Sequence, residues 1–160
     1  MIIAVDFDGT CTTHEYPRIG RDIGAEPVLR RLVAAGHHII LWTMRSGREL
    51  EDAQQWFRTR NIPLFGVNRN PQQKSWTKSV KAHADLYIDD KALGCPLCEP
   101  EKPGEMHFVD WAAVEKLLAR NLAGAPKPAC GETAAQAKHA GSVPPQGLMV
   151  RLLAFLGVQG

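Results

Sequence analysis

The sequence predicts an α/β fold, a three-layer sandwich built on a central parallel sheet. Three observations predict it. Short apolar runs rich in β-branched residues recur along the chain, at Met1–Val5, His37–Trp42 and Ala84–Ile88, as expected of buried strands. Segments with apolar residues at helical spacing separate the early runs, and strands alternating with helices give parallel sheets with right-handed crossovers. The runs also end in polar, reactive side chains: Asp6 and Asp8, Thr43, and Asp89 with Asp90. The carboxyl ends of strands are where open α/β sheets hold their ligands.

The first strand, Met1 to Val5, leads into Asp6-Phe7-Asp8-Gly9-Thr10. Residues 7–24 form a polar connection broken by Pro17, Gly20 and Gly24. A helix is expected over 26–35, with Pro27 in its first turn, Val28, Leu29, Leu32 and Val33 on one face, and Gly36 after its end. The second strand, 37–42, runs into Thr43-Met44-Arg45-Ser46-Gly47. Arg48 to Arg60 reads as a second helix carrying Leu50, Ala53, Trp56 and Phe57 on its apolar stripe. Pro63–Val67 is a short third strand, and 68–78 is a polar loop. Ala84–Ile88 is the fourth strand, and Met106–Val109 is expected to add a short fifth. Asp110 is placed to cap a last helix with Trp111, Val114, Leu117 and Leu118 on its stripe. Residues 1–122 thus read as one catalytic-sized domain. From 123 to 147 the composition shifts to Ala, Gly, Pro, Lys and Gln, with little to bury, and a flexible segment is expected. An apolar segment follows at 148–160, either docked as a short helix or a loose end.

At 160 residues and 44% hydrophobic, the chain is long enough for a real core. A formal charge of +2 does not by itself argue for nucleic acid. No apolar run approaches a membrane span, and the apolar start is interrupted by Asp6 rather than shaped like a signal peptide; the expectation is a cytoplasmic protein without a membrane partner. Cys95-Pro96-Leu97-Cys98 is a lone C-x-x-C among four cysteines. A structural zinc needs two more ligands, and His107 and Cys130 are spaced as in no known zinc pattern, so the cysteines are read as reduced thiols. The six histidines show no metal-ligand spacing.

Two carboxylates at the tip of a buried strand require neutralisation, and a divalent cation held by oxygen ligands supplies it most simply. In a parallel sheet the tips of all strands lie on one edge, so Asp6, Asp8, Thr43, a lysine near 78–81, Asp89 and Asp90 are brought together by topology. The set suits phosphoryl transfer. A carboxylate attacking phosphorus needs the phosphoryl charge neutralised. The Thr43 hydroxyl and the amides of Met44, Phe7 and Asp8 suit phosphoryl oxygens. A lysine adds a point charge, and a second carboxylate serves as acid and then base. Each piece has an ordinary alternative: Thr43 as a helix N-cap, Lys81 as a surface lysine, Asp89-Asp90 as a polar turn, and Arg45 with Arg48 as a solvated helix start.

Asp6–Thr10, Leu41–Arg45 and Ala84–Asp90 read DFDGT, LWTMR and ADLYIDD, and in this order they resemble the haloacid dehalogenase (HAD) superfamily, mostly Mg²⁺-dependent phosphatases. The resemblance covers roughly residues 1–120. It implies Asp6 as nucleophile forming an aspartyl phosphate, Asp8 as general acid/base, Thr43 as a phosphate ligand, and Lys81, preferred over Lys78 and Lys74, as the active-site lysine. It also implies Mg²⁺ held by the side chains of Asp6 and Asp89 and the carbonyl of Asp8, with Asp90 helping directly or through water. Arg45, beside Thr43, is expected to contact substrate or pair with an acid. The connections 9–24 and 68–79 are too short to hold the cap domain many members carry. A capless, exposed site follows, suited to bulky phosphates or to a lid from another subunit, with Arg18, Arg21, Arg45, Arg48, Arg69 and Lys74 giving its rim a positive field.

The leading expectation is a Mg²⁺-dependent phosphomonoester hydrolase. The alternatives are a nucleic-acid 3′-end phosphatase, like the capless phosphatase domain of polynucleotide kinase, and a non-hydrolytic phosphoacceptor or assembly protein.

Overall fold

The structure, a computed structural model, describes residues 1–100 and 102–122. The expectations for 123–147 and 148–160 lie outside the described residues. Four strands form a parallel sheet: β1 (Ile2–Val5), β2 (His38–Leu41), β3 (Leu64–Val67) and β4 (Leu86–Ile88), in the order β3-β2-β1-β4. Helices α1 (Ala25–Ala34) and α2 (Gly47–Thr59) connect the first three, each within a residue or so of the predicted bounds. The α/β class expected from the alternation is the one observed.

The two faces of the sheet are covered differently. Ile3 and Val5 pair with Ile39 and Leu41 and point into the main core with Phe7. Phe7 meets Trp56 and Phe57 of α2 at ring distances of 5.8 and 6.2 Å. Successive right-handed crossovers moving in one direction put α1 and α2 on this same face. The step from β3 to β4 reverses direction across the whole sheet, so it returns over the other face. That connection holds only a short 3₁₀ turn, Gln73–Ser75. Gly66 records the contact: a Cβ there would lie 2.2 Å from the Arg69 carbonyl oxygen and 3.2 Å from Pro71 Cδ. Gly66 pairs with Ile40, and both Ile40 and Ala4, on this second face, are buried. The third layer is therefore an irregular connection pressed on the sheet, where only a side-chain-free position lets the backbone approach.

The expected strand at Met106–Val109 is found over a shorter span. Phe108–Val109 (β6) does not join the parallel sheet; it pairs antiparallel with Leu97–Cys98 (β5) in a separate two-stranded ribbon. The ribbon is tied to the strand tips by Val109 N–H donating to Gly9 O at 2.9 Å. Helix α3 (Trp111–Leu122) follows, and Asp110 caps it as expected, its Oδ1 accepting from Ala113 N at 3.0 Å. Buried Trp111 donates Nε1–H to the Thr10 carbonyl. No helix among the described residues is long and apolar enough to cross a membrane.

Candidate active site

β1 and β4 are neighbours, with Val5 opposite Ile88. The residues just past their ends therefore meet, and Asp6 N–H continues the ladder to Ile88 O at 2.9 Å. Asp6, Asp89 and Asp90 each turn a carboxylate oxygen into one spot, the three oxygens lying within 4.8 Å of one another. Burial, joined by the charges of Asp89 and Asp90, pushes the Asp6 carboxyl up to about 7, although the Phe7 amide and the Thr10 hydroxyl hold it down in part. A carboxyl raised by burial and like charges is short of a cation. The donor set is all carboxylate oxygen, the chemistry of a hard divalent ion such as Mg²⁺ rather than of a thiolate or imidazole metal. The three acids fit such an ion.

Thr10 and Gly9 build this corner. The Thr10 hydroxyl accepts from Asp90 N at 3.0 Å and donates to Asp6 Oδ2 at 3.2 Å, so one buried side chain fixes both strand tips. Gly9 sits at φ +79°, and a Cβ there would come 2.6 Å from Asp90 Oδ2. The position excludes side chains twice, by backbone conformation and by space. The sequence reading named both residues only as part of a motif.

Asp8 is placed apart from the three acids. Both its oxygens accept from Arg45, Nε to Oδ2 at 2.8 Å and Nη2 to Oδ1 at 2.7 Å. The Arg45 side chain is 1% exposed. It also donates to the carbonyls of Pro17 at 2.9 Å and Arg18 at 2.6 Å, and lies over the rings of Phe7 and Tyr16. Of the two roles expected of Arg45, the structure shows the pairing with an acid. The guanidinium is held by residues of the β1–α1 connection.

Thr43 stands at the tip of β2, beside β1. Its backbone is held at both ends by Asn68: Thr43 N donates to Asn68 Oδ1 and Asn68 Nδ2 donates to Thr43 O, both at 2.8 Å. Asn68 adopts φ +50°, a conformation asparagine tolerates better than most residues. The Thr43 hydroxyl accepts from Arg45 N at 3.1 Å and donates to no acceptor among the described residues. It does not cap α2, whose N-cap residue is Ser46. The backbone amides of Asp8 and Met44 also find no acceptor among the described residues. Three donors at the tips of β1 and β2 are thus left over, as an anion cradle requires.

Lys81 is exposed and makes no ion pair with the acidic trio. The cation that does is Lys91, whose Nζ lies 2.6 Å from Asp90 Oδ2. Sequence reasoning passed over Lys91 because it follows the motif instead of preceding it.

No family model matches the chain, and no curated protein does. It is similar to a solved structure of a conserved protein from Bacteroides thetaiotaomicron, at 36% identity over 76% of this chain and 91% of that one, with a TM-score of 0.61. At that identity and coverage the chain belongs to the same family as the Bacteroides protein.

Proposed function

We propose that this protein is a Mg²⁺-dependent phosphomonoester hydrolase whose nucleophile is Asp6. The observation that supports it most is the acidic trio at the tips of β1 and β4, faced by the leftover donors of Thr43, Met44 and Asp8. Asp6, Asp89 and Asp90 would hold the metal, which when bound supplies charge neutralisation and orientation for a phosphoryl group. The chain's own residues do the rest. The Thr43 hydroxyl and the amides of Asp8 and Met44 hold phosphoryl oxygens. Deprotonated Asp6 attacks phosphorus, breaking the ester bond and forming an aspartyl phosphate. Asp8, once turned from Arg45, gives a proton to the leaving oxygen and takes one from the water that hydrolyses the acyl phosphate. Thr10 keeps the Asp6 carboxylate aimed throughout. Lys81 keeps its proposed role as the active-site lysine, and Lys91, already paired with Asp90, is a second cation at the trio.

A second reading draws support from the grip of Arg45 on Asp8. With its acid/base held in a bidentate pair, the site would accept a phosphoryl group and release it slowly, as a phosphoacceptor does. Single-turnover assays with labelled acetyl phosphate separate the two. The hydrolase reading expects prompt Mg²⁺-dependent release of phosphate; protein-bound label that is lost in Asp6→Asn but persists for minutes in the parent would favour the acceptor.

A further inference from the structure

The β3–β4 connection carries a feature that the acidic trio does not explain. Between Asn61 and Ala84 there is no Asp or Glu, yet the segment holds Arg69, Lys74, Lys78 and Lys81. None of these four forms an ion pair among the described residues. Three of them, Arg69, Lys74 and Lys78, line one cavity of about 740 Å³. Its floor is rigid: buried Gln73 donates to the carbonyls of Ser79 and Lys81 and accepts from His83 N, while Asn70 donates to His83 O. The connection is therefore folded on its own polar side chains, and its cations have no carboxylate partner among the described residues. A cleft lined by cations of one sign focuses field and attracts anions. Trp76, in the same connection though not in the cavity's lining, is 64% exposed and stands nearly perpendicular to the His83 ring at 5.4 Å.

The cavity's first lining residue, Arg69, follows the candidate site in sequence. Asn68, which clamps Thr43 at the tip of β2, immediately precedes Arg69. A cavity of this size exceeds what one phosphoryl group needs, and cations spaced along a connection beside an exposed indole suit a repeated phosphate backbone with bases that stack. We infer that the β3–β4 connection is a binding cleft for a single-stranded nucleic acid, positioning the strand's phosphorylated end at Asp6. The fate of that end rests on the phosphatase reading; the binding does not. The overall charge of +2 conceals the cleft, because carboxylates elsewhere cancel its cations.

The test is fluorescence anisotropy with the full chain carrying Asp6→Asn, in EDTA, so that no turnover is needed. The probe is a labelled single-stranded oligonucleotide of about twelve nucleotides. Expected are salt-dependent binding, a loss of about tenfold in Arg69→Gln/Lys74→Gln with a shallower salt slope, and a loss of about fivefold or more in Trp76→Leu. The charge control Lys116→Gln, on exposed α3, should leave binding unchanged. All four substitutions are at exposed side chains, and circular dichroism checks their folding. Absence of binding, or an equal loss in Lys116→Gln, would overturn the cleft. Binding that ignores Trp76→Leu and is competed equally by inorganic polyphosphate would overturn the nucleic-acid assignment in favour of a simple polyanion. Neither result would touch the chemistry assigned to Asp6, which is read separately by phosphate release.

Discussion

Asp6 and Asp8 stand two residues apart on the same turn, and the fold treats them in opposite ways. Asp6 is set among Asp89 and Asp90, with burial and like charge raising it to about 7. Asp8 is set against a buried guanidinium that takes both its oxygens. The alternation along an extended strand end turns adjacent odd and even positions to different sides, but these two share a side in sequence and differ by what reaches them: β4 brings acids to one, the tip of β2 brings Arg45 to the other. The difference teaches that chemistry at this turn is assigned by the neighbouring strands, not by the Asp-x-Asp pattern itself.

Removing the cation on the Asp8 side should have the largest effect on stability. Arg45→Ala leaves a mostly buried carboxylate unpaired and abandons two carbonyls, and a loss of about 3–5 kcal/mol is expected in urea unfolding. Asp8→Asn/Arg45→Met should recover much of that loss, since no charge is then stranded. A loss below about 1 kcal/mol in Arg45→Ala would put the pair on the scale of an exposed surface bridge and erase the contrast.

On the Asp6 side the next largest effect is expected from Gly9→Ala, which forces a methyl toward Asp90 Oδ2 at a left-handed position. A cost of about 2–4 kcal/mol follows, accompanied by weaker Mg²⁺ binding in calorimetry. Thr10→Val removes the hydroxyl that links Asp90 N to Asp6. It should cost about 1–3 kcal/mol and slow phosphate release even at saturating metal, whereas a merely structural role would leave the rate of the surviving folded protein intact.

The most gradual effect, small within any one pH unit, is a slope with pH. Asp6 titrates higher in the folded chain than in the unfolded one, so the folded state binds more protons between the two values. Metal-free protein should be most stable below pH 4 as far as this group is concerned, and should lose that contribution as pH rises through about 7. One proton sets a ceiling of about 1.4 kcal/mol per pH unit. Asp6→Asn should flatten the slope, and Mg²⁺ should suppress it in the parent. Chemical unfolding across pH 5 to 8 in EDTA reads it directly.

Much of this layout was legible in the sequence. The four parallel strands, α1, α2 and the α3 cap at Asp110 follow from apolar runs and helical spacing. The meeting of Asp6 with Asp89 and Asp90 follows from strand tips sharing an edge. What was not legible depends on contacts between distant positions or on elements too short to have a period. Arg45 and Asp8 are far apart in sequence, and only the approach of Tyr16, Pro17 and Arg18 to the guanidinium completes the clamp. Asn68 reads as a loop asparagine until its left-handed backbone aims both amide atoms at Thr43. A two-residue strand such as Leu97–Cys98 has no alternation to detect, so the antiparallel partner of Phe108–Val109 is not visible in the sequence. Lys81 is named in the sequence only by its spacing before Asp89, and Lys91, which pairs with Asp90, has no such signal.

The central claim is that the acidic trio and the leftover donors make a metal-dependent phosphoryl-transfer site with Asp6 as nucleophile. Phosphate release from a panel of phosphomonoesters, including sugar phosphates, nucleotides and a 3′-phosphorylated oligonucleotide, tests it most directly, with the parent and Asp6→Asn compared in Mg²⁺ and in EDTA. The account predicts release that requires Mg²⁺ and falls by about a thousandfold or more in Asp6→Asn. Release that survives Asp6→Asn, or that proceeds equally in EDTA, would contradict it.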